Sequence, residues 1–256
     1  MAKAQTRKRA VMVLNPSESK RLIGRAVAKL PEVKSALKSG RLIIGHGTTN
    51  AYVAEELLGR KVSKWRYAAG VVAEGSLGVT EGSKRMEPIA LKRGKAHKAG
   101  WVALLKEFRG GDVFVKGGNA LDAQGHVGVL LANPMGGTVG QMYGVLAARG
   151  AHLIAPVGLE KLVPDVVEAA RHCGTTSTDL TEGIASGMAV LSGARVVTEL
   201  EALRVLFGVE AWHLASGGVC GSEGAVCVAV EGASAAVARA FRFAKSVSGE
   251  PPVVRD

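Results

Sequence analysis

Apolar runs of strand length alternate, along nearly the whole chain, with stretches whose apolar residues recur every three to four positions. The runs fall at 11–14 (VMVL), 41–45 (RLIIG), 67–73 (YAAGVVA), 112–116 (DVFVK), 126–132 (HVGVLLA), 151–157 (AHLIAPV) and 187–191 (GMAVL). Several are apolar throughout, as strands covered on both faces are. Helical patterns lie between them: 17–30, with Leu22, Ile23, Ala26, Val27 and Leu30 on one face, then 50–58, 97–108, 137–149 and 164–172. Strand alternating with helix implies parallel pairing through right-handed crossovers, so the predicted fold is α/β, a mainly parallel layered sheet with helices on both faces. After about residue 197 the rhythm changes to helix (198–207), strand (209–216), a Gly-rich turn (217–224), strand (225–230) and helix (233–247). Residues 1–197 are therefore expected to form an α/β domain. Residues 198–256 are expected to form a small C-terminal α+β appendage, a subdomain because no Pro/Ser/Gly-rich linker separates it.

Three of the predicted strands end in Gly-rich loops. After the strand at 41–45, GHGTTN opens onto a helix, where backbone N–H groups lack partners and the helix dipole favours an anion. Gly45 and Gly47 let the backbone approach a ligand, Thr48 and Thr49 can donate to its oxygens, and Asn50 stands at the helix start. A tight turn with a Thr or Asn cap needs no ligand. The segment DVFVKGGNALD places Lys116 at a strand end, followed by Gly117, Gly118, Asn119 and Asp122. A lysine there can stabilise a developing oxyanion and a carboxylate can shuttle a proton, although Asn and Asp also satisfy ordinary turns. The third loop, NPMGGT, offers Gly136, Gly137 and Thr138 ahead of another helix. Gathered at one sheet edge, the three would make a polar crevice. Glu160, beside Lys161 at the end of the strand 151–157, is the preferred general base, with a surface charge pair as the alternative.

Composition narrows the classes. Hydrophobic residues at 47% and charged residues at 21% suit an ordered protein, and nothing approaches a membrane-spanning apolar run. No signal peptide is read at the start. Cys173, Cys220 and Cys227 form no Cys-x-x-Cys unit, so a reduced cytoplasm is expected and no metal or other cofactor is implied. The six histidines, His46 among them, show no metal-ligand spacing, and no Gly-x-Ser-x-Gly elbow is present. The net charge of +11 is uneven: residues 1–109 hold 23 Lys/Arg against 8 Asp/Glu, and residues 110–256 hold 10 against 14. A basic half suits a small anionic metabolite, an anionic membrane or nucleic acid. Aromatics at 4% and the lack of any nucleic-acid-binding signature disfavour the last. Lys3, Arg7, Lys8 and Arg9 are read as a loose tail, and the basic run 81–98 as a mobile loop that closes on an anion or a solvated face.

Short motifs then carry a resemblance. GHGTTNAYVAEEL at 45–57 resembles the Gly-Thr-Gly-Ser-Thr strand end of ribose-5-phosphate isomerase. VFVKGGNAL at 113–121 is similar to that family's Lys-Gly-Gly-Gly-Gly-Ala-Leu segment, and VGLEKLVP at 157–164 looks like the Val-Gly-Ile-Glu-Lys-Ile-Val-Pro signature of the lactate-utilisation domain. The chain thus resembles a distant member of the superfamily that also holds glucosamine-6-phosphate deaminase and the CoA transferases. The isomerase's Asp-Gly-Ala-Asp-Glu segment has no counterpart here. The resemblance implies an isomerase-like enzyme acting on a phosphosugar or related carbonyl acid by proton transfer. Gly47, Thr48 and Thr49 would bind the anion, Lys116 would stabilise an enediolate-like intermediate, and Glu160 or Asp122 would move the proton. A non-catalytic anion sensor is the alternative, as is CoA transfer, for which GSEG at 221–224 offers Glu223. A homo-oligomer without a membrane partner is expected.

Overall fold

The computed structural model describes residues 7–255; Lys3 of the basic cluster lies outside them. The chain opens with β1 (Arg7–Leu14), α1 (Pro16–Val27), α2 (Pro31–Ser39), β2 (Arg41–Ile44) and α3 (Thr48–Leu58). The helix expected over 17–30 ends at Val27, and a second helix that the pattern did not mark, α2, follows it: Pro31 disfavours helical backbone at Leu30 and occupies the first turn of the new helix. α1 begins at an extended Asn15, whose N–H donates to Glu18 Oε2 at 2.9 Å, with Pro16 in the first turn.

A hairpin of β3 (Gly70–Ala73) and β4 (Ser76–Val79) follows, then β5 (Ile89–Lys92), β6 (Lys95–Ala96) and α4 (Gly100–Lys106). Next come β7 (Val113–Val115), β8 (Ala120–Leu121), β9 (Val127–Leu131), α5 (Gly137–Arg149) and β10 (His152–Pro156). A 3-10 turn at Leu159–Lys161 leads to α6 (Val166–Arg171), β11 (Gly187–Val190) and β12 (Arg195–Val197). The chain closes with α7 (Glu199–Phe207), β13 (Glu210–Gly217), β14 (Ala225–Ala233) and α8 (Ser234–Val247).

The fold is α/β, built on a six-stranded mixed sheet of order β12-β10-β7-β2-β5-β6. β12, β10, β7 and β2 run parallel, while β5 and β6 are antiparallel additions at one edge. Leu42, Ile43, Ile44, Val113, Phe114 and Val115 are fully buried, as central strands require. Because these strands are parallel, the loops after β2, β7 and β10 leave the sheet at one edge.

Four expectations change here. The basic run 81–98 contains β5, whose Ile89, Ala90 and Leu91 join the sheet between flanking lysines and arginines. The strand expected over 67–73 is only β3, because Tyr67 is a buried strut: its hydroxyl donates to Ile44 O at 2.5 Å and accepts from Ile89 N at 3.1 Å. The runs 126–132 and 187–191 leave the main sheet and pair with each other antiparallel, as β9 and β11, with β8 alongside. Finally, Arg7, Lys8 and Arg9 are not a tail. They lie in β1, which pairs with β14 from Arg7↔Ala233 to Leu14↔Val226, and Arg7 and Arg9 both reach Glu231. The sheet of the C-terminal unit is β1-β14-β13, so it takes one strand from the start of the chain. Val226, Val228 and Val230 bury one face of the central β14, and β1 supplies Met12 and Leu14 on that side.

Candidate functional site

The loops after β2 and β7 and the loop before α5 open onto one cavity of about 770 Å³. From the first loop it is lined by Gly47, Thr48, Thr49 and Asn50; from the second by Lys116, Gly117, Gly118 and Asn119; from the third by Gly136, Gly137 and Thr138. Gly45, Asp122 and Glu160 are not in its wall.

Gly47 precedes α3 with φ +147°, a conformation that side chains disfavour, and its own N–H donates to Tyr67 O at 2.9 Å. No side chain caps α3, and its first residues, Thr48, Thr49 and Asn50, line the cavity. Thr49 Oγ1 is buried without a hydrogen-bond partner. Asn50 is a strut rather than a simple cap: Nδ2 donates to Gly45 O at 2.9 Å and to Val115 O at 3.4 Å, while Oδ1 has no partner. Gly45 itself serves packing, since a Cβ there would meet Phe114 Cε1 at 3.1 Å and Val115 O at 3.2 Å. α5 also starts without a side-chain cap, behind a left-handed Gly136.

The charged residues of the wall are all cations. Lys116 Nζ donates to Gly117 O at 3.0 Å, and Lys161 Nζ to Gly118 O at 2.9 Å. Burial, reinforced by Lys161, lowers the Lys116 ammonium to about 8. Arg85, from the basic run 81–98, and Lys20, which no local motif in the sequence picks out, complete the group. Burial lowers Lys20 as well, and nearby Glu160 opposes that shift. His46 Nε2 donates to Met86 O at 2.8 Å, and burial lowers its pKa, favouring a neutral ring.

Behind the lysines sits a buried acid pair. Glu160, on the 3-10 turn, lies 3.8 Å from Lys20, and neither of its oxygens has a hydrogen-bond partner. Glu199, the first residue of α7, is fully buried; Oε2 accepts from Leu159 N at 3.0 Å, and Oε1 is unpartnered. Burial, and then the neighbouring Glu160, push the Glu199 carboxyl up to about 7. Gly158 separates the two: a Cβ there would collide with Glu160 Oε2 and stand 3.0 Å from Glu199 Oε1. In the sequence Glu199 reads as an ordinary acidic residue at a helix start, and only the fold sets it beside Glu160.

Asp122, expected as a proton carrier, lies outside the cavity wall with its carboxylate fully hydrogen-bonded. Oδ1 accepts from His126 N at 2.9 Å and Gln124 N at 3.1 Å, and Oδ2 from His126 Nδ1 at 2.9 Å and Val166 N at 3.1 Å. Those bonds tie the β8–β9 turn to α6 and occupy the carboxylate. Glu223 is exposed in the β13–β14 turn, where it accepts from Gly221 N at 2.9 Å, and it lies outside the cavity wall. Among the described residues, no group of three or more His, Cys, Asp or Glu is placed to hold a metal, and no helix is long and apolar enough to cross a membrane. Comparison with protein-family models, with curated proteins and with solved structures gave no match.

Proposed function

We propose that the cavity binds a small phosphorylated carbonyl metabolite and that the protein is an isomerase-like enzyme moving a proton next to that carbonyl. The observation that carries this reading is the meeting of an uncapped helix start, a buried Thr49 hydroxyl without a partner, and the ammonium groups of Lys20, Lys116 and Lys161 around one space. A phosphate at the start of α3 would take the free amides of Thr48, Thr49 and Asn50 and the Thr49 hydroxyl. Lys116 would face the carbonyl oxygen and stabilise the negative charge that develops there. Glu160 is the base in this scheme; it stands behind Lys20, so Lys20 must swing toward the ligand before the carboxylate reaches a C–H bond. The reading keeps the protein in the cytoplasm, in accord with Cys173, Cys220 and Cys227 all being unpaired.

Two observations favour a second reading, a binding module without turnover: Asp122 is fully hydrogen-bonded, and Glu160 is outside the cavity wall. Calorimetric titration with inorganic phosphate and with aldose and ketose phosphates, followed by NMR of each bound sugar in D₂O, separates the two. Binding with solvent deuterium entering the carbon next to the carbonyl supports the isomerase. Binding without exchange supports the module, and no binding removes both. Lys116→Met is expected to weaken binding of the phosphorylated sugar, whose carbonyl oxygen Lys116 faces, about tenfold, roughly 1.4 kcal/mol. Because the Lys116 ammonium titrates at about 8, wild-type affinity should fall as the pH rises through that value. The Lys116→Met profile should be flatter there.

A further inference from the structure

The β1-β14-β13 sheet has one face on the core and one face bare. Met12, Leu14, Ala211, Val226, Val228 and Val230 point inward and are buried. On the other face Val11 is 56% exposed, Val13 60% and Trp212 45%. The register lines them up in rows, Val11↔Ala229↔Trp212 and Val13↔Cys227↔Ala215, and a bulge between His213 and Ala215 leaves Leu214, 54% exposed, outside the ladder. The exposed apolar surface is on the order of 400 Å² in a single patch, within the range of the largest patch on a monomer, which is often functional.

Charge on the same face is also ordered. The next row is Arg9↔Glu231↔Glu210. Arg7 and Arg9 make the β1 edge positive, Glu210 makes the β13 edge negative, and Glu231 between them is held by both arginines.

We propose that this face is an interface with a second copy of the chain, the two sheets packing face to face about a two-fold axis parallel to β14. That operation lays β1 of each copy over β13 of its partner. It stacks Val11 and Val13 on the partner's Trp212, and it sets Arg7 and Arg9 over the partner's Glu210. Cys227, on the central strand, comes to face the partner's Cys227 across the axis. The contact is isologous, so one patch serves both copies, and aligned sheets packing about 10 Å apart are a common arrangement. Three strands of this length offer on the order of 700 Å² per copy, close to the roughly 800 Å² of a standard stable interface. A partner uniformly acidic or basic would leave one charged edge facing its own sign; a second copy matches both. The cavity lies elsewhere, so this inference stands apart from the proposed function.

Analytical ultracentrifugation at micromolar concentration should give twice the 26.4 kDa of one chain. The double variant Val13→Lys, Trp212→Lys puts like charges into the patch, and its mass should halve while its circular dichroism stays unchanged. With Cys173 and Cys220 replaced by Ser, a short bismaleimide should join two copies through Cys227, and Cys227→Ser should abolish the product. A monomeric wild type, a dimer indifferent to both lysines, or a dimer that Cys227 does not cross-link would each overturn the proposal, the last two by placing the contact on another surface such as a strand edge.

Discussion

Two carboxylates sit near the lysine loops and are treated in opposite ways. Asp122 accepts four hydrogen bonds from the β8–β9 turn and the start of α6. Glu160 accepts none, and its nearest cation, Lys20, stands 3.8 Å away, with the raised Glu199 carboxyl on the other side of Gly158. Burial pushes the Asp122 carboxyl up, but the hydrogen bonds from His126 and Val166 outweigh it and hold it below the usual range. A buried acid whose lone pairs are filled is a structural tie. One left unfilled beside a shared-charge neighbour is costly to keep, and such groups collect where a ligand or proton completes them.

The largest expected effect breaks the structural side of that contrast. Asp122→Ala leaves the amides of Gln124, His126 and Val166 without acceptors, and it should cost about 3 kcal/mol in chemical denaturation. A cost near zero would mean that the tie carries no weight.

An intermediate effect sharpens the other side. The folded Glu199 carboxyl titrates at about 7, above its ordinary 4.5. Its stabilising contribution is therefore complete below the ordinary value and is lost as the pH rises through about 7. Glu199→Gln keeps an acceptor for Leu159 N–H but cannot ionise. At pH 8 its Tm should exceed that of wild type by several degrees, and at pH 4 the difference should vanish or reverse. Equal Tm values at both pH values would show that Glu199 does not titrate in this range.

The smallest effect tests the same logic at the cavity wall. Thr49→Val removes a hydroxyl with no partner in the protein, so stability should shift by less than about 0.5 kcal/mol. Phosphate affinity, read by calorimetry, should still fall about threefold, roughly 0.6 kcal/mol. A loss of stability instead of affinity would make that hydroxyl structural, like Asp122.

Local pattern reached far into this molecule wherever one element decides its own outcome. The apolar runs that became β2, β7 and β10, and the Gly loops after β2 and β7, are short-range features of the chain. Parallel topology then carries those loop ends to one edge. β5 carries no strand pattern of its own, because its three apolar residues sit among lysines and arginines, and only pairing with β2 makes them a strand. The long apolar run at 126–132 looked like any other buried strand, and periodicity says nothing of which sheet it will join.

Near neighbours along the chain set the alternation of strand and helix, the glycines at the loop turns, and the positions of Lys116 and the Thr48–Thr49 pair. Tertiary structure alone decided that β1 completes the C-terminal sheet, that Lys20 and Arg85 join the cavity wall, and that Asp122 is a tie while Glu160 faces Glu199. The reason is physical: periodicity and turn chemistry are set by neighbours a few residues away. Whether a charge is filled, orphaned or opposed depends on groups such as Glu160 and Glu199 that the chain brings together only once the core has closed.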